Sequence, residues 1–194
     1  MKSTVMAVFA LVGVLLLSGC KEKAGAAAFA ADDRIPVDSL SQYVATSDAA
    51  KAATVRSEAL QYLIRTSLFE ELLRRHGGVP SDSELSELHD QALPDALKNA
   101  NLTGSAADRA FALALAPNGY APSFVPLYLR SQELALELGT RKVKSDELCR
   151  LRVSLNPRFG AWDWSTVGIK ADQAQSDFLV SGPPLGSTEC HISG

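Results

Sequence analysis

The sequence predicts a mainly α-helical domain with a short extended segment at each end. Three observations predict it: an apolar stripe of helical period from about Asp48 to His76, a succession of helix start and stop signals reaching Gly139, and a switch to two-residue alternation at Leu151, Val153 and Leu155.

At the N-terminus, Lys2 precedes an unbroken apolar run from Val5 to Leu17, which ends at Ser18, Gly19 and Cys20. This is the layout of a signal peptide. The run falls short of the roughly 20 apolar residues that a membrane-spanning helix needs, so residues 1–19 are expected to be removed on export. The following stretch, KEKAGAAAFAA, has no caps and almost only small side chains. Residues 20–31 therefore read as a flexible tether, since a helix so short is marginal in water.

The domain is placed at residues 32–168. Asp33–Val37 reads as extended, with Pro36 confined to an edge or a strand end. Asp38 then caps a short helix from Ser39 to Ala45. In the long helix from Asp48 to His76, Val55, Ala59, Tyr62, Phe69 and Leu73 form one stripe. Leu60, Leu63, Ile64, Leu68 and Leu72 widen it until it needs neighbours on two sides. Gly77-Gly78 closes that helix. Ser81-Asp82-Ser83-Glu84 is a capping box for a helix to about Ala92, and Pro94 opens a short turn of helix to Ala100. Ser105 caps a segment from Ala106 to Ala116, stopped by Pro117-Asn118-Gly119. Ser123 caps a helix to Leu138 in which Pro126 is tolerable because it lies in the first turn. The strand-like run Leu151–Leu155 stops at Asn156-Pro157, and Phe159 to Trp164 is an aromatic turn. Residues 169–194, polar and then rich in Gly, Pro and Ser, read as a poorly ordered tail.

The chain carries 19 Lys and Arg against 22 Asp and Glu, with a pI near 5.6 and both signs interspersed. No basic stripe points to a nucleic-acid partner. His76, His89 and His191 are not spaced as metal ligands, and there is no Gly-rich phosphate loop and no Gly-x-Ser-x-Gly elbow. Neither catalysis nor a metal or cofactor is expected. The adjacent carboxylates Glu70-Glu71 and Asp32-Asp33 read as solvated.

Leu17-Ser18-Gly19-Cys20 resembles the lipobox of bacterial lipoproteins. The resemblance implies cleavage before Cys20 and acylation of its thiol, with palmitate among the chains. It also implies anchorage on the extracytoplasmic face of a membrane. Each buried methylene would add about 0.8 kcal/mol to that anchorage. Further along, Asp33-Arg34-Ile35-Pro36-Val37, LQYLIRTSLFEELLRRHGGVPSDSEL, SFVPLYLRSQELALELG and LNPRFGAWDW occur in this order. From Asp33 to Trp164 they resemble the N-terminal domain of the periplasmic chaperone SurA, and more closely the bacterial lipoproteins that carry a SurA N-terminal-like domain alone. The specific part is Asn156-Pro157-Arg158-Phe159-Gly160 followed by Trp162-Asp163. Phe159 and Trp164 stand where those lipoproteins usually have Tyr and Pro.

This resemblance implies a SurA N-terminal-like helical domain in which the first extended segment, near Arg34 to Val37, pairs with the last strand, near Leu151 to Leu155. It also implies a chaperone-like module that binds unfolded or extended segments of exported proteins without ATP or another cofactor. The alternative is an envelope scaffold or adhesion lipoprotein that holds one folded partner. SurA-type proteins add parvulin-like prolyl isomerase domains, and too few residues follow Trp164 to build one, so isomerase activity is not expected.

With Cys20 acylated, Cys149 and Cys190 are the remaining thiols of an exported chain. Either they are bridged, closing a loop of about 40 residues worth about 4 kcal/mol in the chain-entropy model, or they stay as two thiols. Trp162 and Trp164 project to one side of an extended segment. They either contact an apolar peptide or form a lid over the helical core, and the lid is preferred because Trp is usually largely buried.

Overall fold

The wide apolar stripe becomes the longest element. In the computed structural model of this protein, which describes residues 25–170, helix α1 spans Ala49–Arg75. Its start is fixed by Asp48, whose carboxylate accepts from the amides of Ala50 and Lys51. Its end is a Schellman closure: Gly77 is left-handed at φ +110°, and the Gly78 amide donates back to the Leu73 carbonyl. Arg141 then donates to the carbonyls of His76 and Gly78, which would otherwise lack partners. Val55, Leu60, Ile64, Leu68, Leu72 and Leu73 are buried, each contributing about 1.5–3 kcal/mol of apolar transfer.

The two neighbours that this face requires are a second long helix and a sheet. Four helices intervene: α2 (Asp82–Ser86), α3 (His89–Ala92), α4 (Asp95–Asn99) and α5 (Gly104–Leu115). Helix α6 (Phe124–Thr140) then packs along α1. The capping box at Ser81 and Glu84 forms as read. The single helix expected to Ala92 is instead two, because the Leu88 amide bonds three residues back to Leu85. This tighter turn lets Leu85 fill the main core while Ala92 and Leu93 fill a separate cluster with Val125 and Leu129. The Ser39–Ala45 helix is a 3-10 segment over Asp38–Tyr43. Neither Ser105 nor Ser123 caps its helix. Instead Asp90 accepts from the Gly104 amide, and Ser123 donates to the Gln42 carbonyl.

The sheet corrects the reading of residues 20–31 as a tether. Ala26–Ala30 is strand β1, and it is the centre of a three-stranded antiparallel sheet with β2 (Asp33–Pro36) and β3 (Val153–Leu155) at its edges. The register sets Ala28 opposite both Ile35 and Leu155, and Phe29 opposite both Arg34 and Ser154. The two ends of the domain therefore do not pair with each other as expected, because β1 lies between them. Ala27, Ala28 and Ala30 are buried on both faces of the strand. Their small side chains let the backbone lie close against α1. A strand covered on both faces shows no apolar-polar alternation, and alanine is depleted in strands; both facts hide it from periodicity.

Asn156 closes the sheet, its amide donating to the Ala27 carbonyl and its side-chain Nδ2 to the Ala26 carbonyl. Beyond it, β4 (Ala161–Asp163) and β5 (Gly168–Lys170) form a hairpin, so residues 169 and 170 belong to the domain rather than to a tail. The rest of the expected tail, like the expected signal peptide, lies outside the described residues. The fold is mainly helical, with two small antiparallel sheets among the described residues.

Candidate functional site

Helices α2, α3, α5 and α6 enclose a groove of about 610 Å³. Apolar side chains line much of it: Leu85 from α2, Ala112 from α5, Val125 and Leu129 from α6, with Pro122 and Pro126 beside the start of α6. Val125, Leu129 and Glu133 follow one another at four-residue spacing, so they share one face of α6. Glu133 is only 8% exposed. No hydrogen bond or ion pair reaches its carboxylate from the described residues. Burial pushes its carboxyl up. His89 and Arg130 pull the other way, while Asp108 and Asp82 add to the rise.

The walls are fastened by polar clamps. Arg130 donates to Asp82 and to Glu70, each at 3.0 Å, which ties the start of α2 across α6 to α1. Glu70 is thus an ion-pair partner and not a solvated residue; Glu71 likewise pairs with Arg74 and Arg75. His89 is 3.1 Å from Asp108 through Nε2 and 3.3 Å from Asp90 through Nδ1, joining α3 to α5. The Gly104 amide, and then His89, hold Asp90 below the usual carboxylate range. His76 pairs with Glu147 at 2.9 Å.

The motif that carries the specific part of the resemblance lies elsewhere. Arg158 and Phe159 line a second groove of about 910 Å³ with Val37, Ser41 and the Ala53–Ser57 side of α1. The Arg158 guanidinium rests 4.8 Å from the centre of the Phe159 ring. Asn156 accepts from the Arg158 amide, so the turn is built by its first residue.

Trp162 and Trp164 are half-buried against the main core, with ring centres 5.9 Å apart and edge to face. They line neither of these two grooves. The hairpin that carries them is pinned to α1: Arg65 donates to the carbonyls of Val167 and Thr166, and the Ile169 amide donates to Gln61. Asp163 accepts from Lys170 at 2.9 Å and from Ser165, and these bonds lower its carboxyl to about 2. Cys149 is disulfide-bonded. Cys20, Cys190 and His191 lie outside the described residues.

Among the described residues, no group of three or more His, Cys, Asp and Glu side chains is placed to hold a metal ion, and no helix is long and apolar enough to cross a membrane. Sequence reading passed over Glu133, although a signal existed: a carboxylate breaks an apolar series at four-residue spacing on an otherwise legible helix. No family model matches this chain, nor does any curated protein or solved structure.

Proposed function

We propose that this chain is a lipoprotein, acylated on Cys20 and exposed outside the cytoplasm, that acts as a chaperone-like module for unfolded or extended segments of exported proteins. It works without a cofactor and without isomerase activity. The observation that carries the reading is the 610 Å³ groove with its apolar lining and polar clamps. Its size falls in the range of about 300–1,000 Å³ typical of sites that take small ligands or a few side chains. The resemblance of Asp33 to Trp164 to SurA N-terminal-like lipoproteins supports the same reading. So does the disulfide at Cys149, since such bonds persist in oxidising compartments. We assign Cys190 as its partner.

The test uses the mature chain held in nanodiscs. It slows aggregation of an unfolded client at near-stoichiometric ratios, because binding apolar segments lowers the free concentration of sticky chains. It leaves the rate of X-Pro isomerisation unchanged. Mass spectrometry of the same material finds an acylated Cys20 as first residue and, without reduction, a Cys149–Cys190 peptide pair. Unchanged aggregation combined with tight binding of one folded envelope protein would replace this reading with that of a scaffold.

A further inference from the structure

Glu133 is a charge that the fold leaves unused. The other carboxylates lining the groove are engaged: Asp82 holds Arg130 and Asp108 holds His89. Arg130, on the same helix, is committed to Asp82 and Glu70 at 3.0 Å each and has no bond to Glu133. Arg109 lines the groove from α5 but is exposed and forms no ion pair with Glu133. Glu133, a residue more than nine-tenths buried, therefore has no hydrogen-bond or ion-pair partner for its carboxylate among the described residues, and it lines the groove beside Val125 and Leu129.

A buried carboxylate in this state is costly, and the cost is relieved by a positive group that enters and bonds to it. A bond between opposite charges is shorter and stronger than one to a neutral donor, more so where water is excluded. An occupant that satisfies both parts of this groove must carry a cation flanked by apolar groups. Resting on the groove reading above, we infer that the site recognises an extended polypeptide segment with one basic side chain between apolar ones. The ammonium or guanidinium reaches Glu133 while its neighbours cover Leu85, Val125 and Leu129. Arg109 opposes the incoming charge only from a solvated position, where salt screens it.

The experiment measures fluorescence anisotropy of three short labelled peptides on the mature chain in phosphatidylcholine nanodiscs, with empty nanodiscs as the blank. The peptides are apolar and identical except for a central lysine, norleucine or glutamate. The lysine peptide is expected to bind about tenfold tighter than the norleucine one, a difference of about 1.4 kcal/mol, and the glutamate peptide weakest. Glu133→Gln, which keeps shape and removes charge, should erase the preference and leave norleucine binding in place. Ser86→Trp fills the groove from an exposed position on α2 and should weaken the binding of lysine and norleucine peptides alike. Equal affinity for these two peptides, or a preference that survives Glu133→Gln, overturns cation recognition; if Ser86→Trp still weakens binding, the groove reading stands. Failure of every peptide to bind, or binding indifferent to Ser86→Trp, overturns the groove reading as well.

Discussion

At Glu133 folding raises the pKa of the carboxyl from the ordinary 4.5, because burial disfavours its charged form. Between that value and the raised one, the folded chain binds more protons than the unfolded chain. This group's contribution therefore falls as pH rises through the window and recovers on acidification from neutrality. Asp82, His89, Asp108, Arg109 and Arg130 also line the groove, but they are common to the wild type and to Glu133→Gln. The variant should be more stable at pH 7 by about 1 kcal/mol, because an amide without a partner costs less to bury than a carboxylate without one, and should lose that part of the pH slope. Urea unfolding at two pH values measures both. Gly119 is the opposite case, a residue that packing requires. Its φ is +92°, and an added Cβ would come 2.5 Å from Thr46 Cγ2. There the Ala45 amide donates to the Gly119 carbonyl and the Ala121 amide to Tyr43. Gly119→Ala combines a strained backbone with a clash and should cost roughly 2–3 kcal/mol in the same assay.

Among the elements, α1 was legible because its apolar period and its end signals agree, and the capping box at Ser81 and Glu84 formed as written; α6 was legible by its period alone, since Ser123 does not cap it and it runs through Gly139 to Thr140. Strand β1 was not legible. Its partners, Ile35 and Leu155, lie on either side of it, one of them more than a hundred residues away, and local pattern carries no trace of such pairing. Its burial makes a direct prediction. Ala27→Leu should destabilise the domain by about 1–3 kcal/mol through overpacking, whereas a flexible tether would tolerate it; the unfolding midpoint distinguishes the two. The β4–β5 hairpin depends on Asp163, which bonds Lys170, Ser165 and Thr166. Its carboxyl is depressed from 3.8 to about 2, so its contribution is complete above the unfolded value and is lost as pH falls through about 2. Asp163→Ala should loosen the hairpin at neutral pH and red-shift the emission of Trp162 and Trp164. In the wild type the same shift should appear only on acidification toward pH 2.

Across the whole molecule, a spine of α1 and α6 carries the sheet and the tryptophan hairpin against the main core, while the short helices frame the groove on α6. The helical class could be read from the chain because it rests on local period. The groove could not, because it exists only where α2, α3 and α5 meet α6, and the clamps that set its width, Arg130 to Glu70 and His89 to Asp108, join residues 60 and 19 positions apart. Even so, Glu133 within the Val125 and Leu129 series was a visible departure on a well-read helix. This groove is expected to receive extended segments of other chains. Methyl NMR of the mature chain, titrated with an unfolded client peptide, tests it most directly. Shifts are expected at Leu85, Ala112, Val125 and Leu129 and nowhere else, and Ser86→Trp should abolish them; shifts at the Arg158 and Phe159 groove alone, or none at saturating peptide, would rule this binding out.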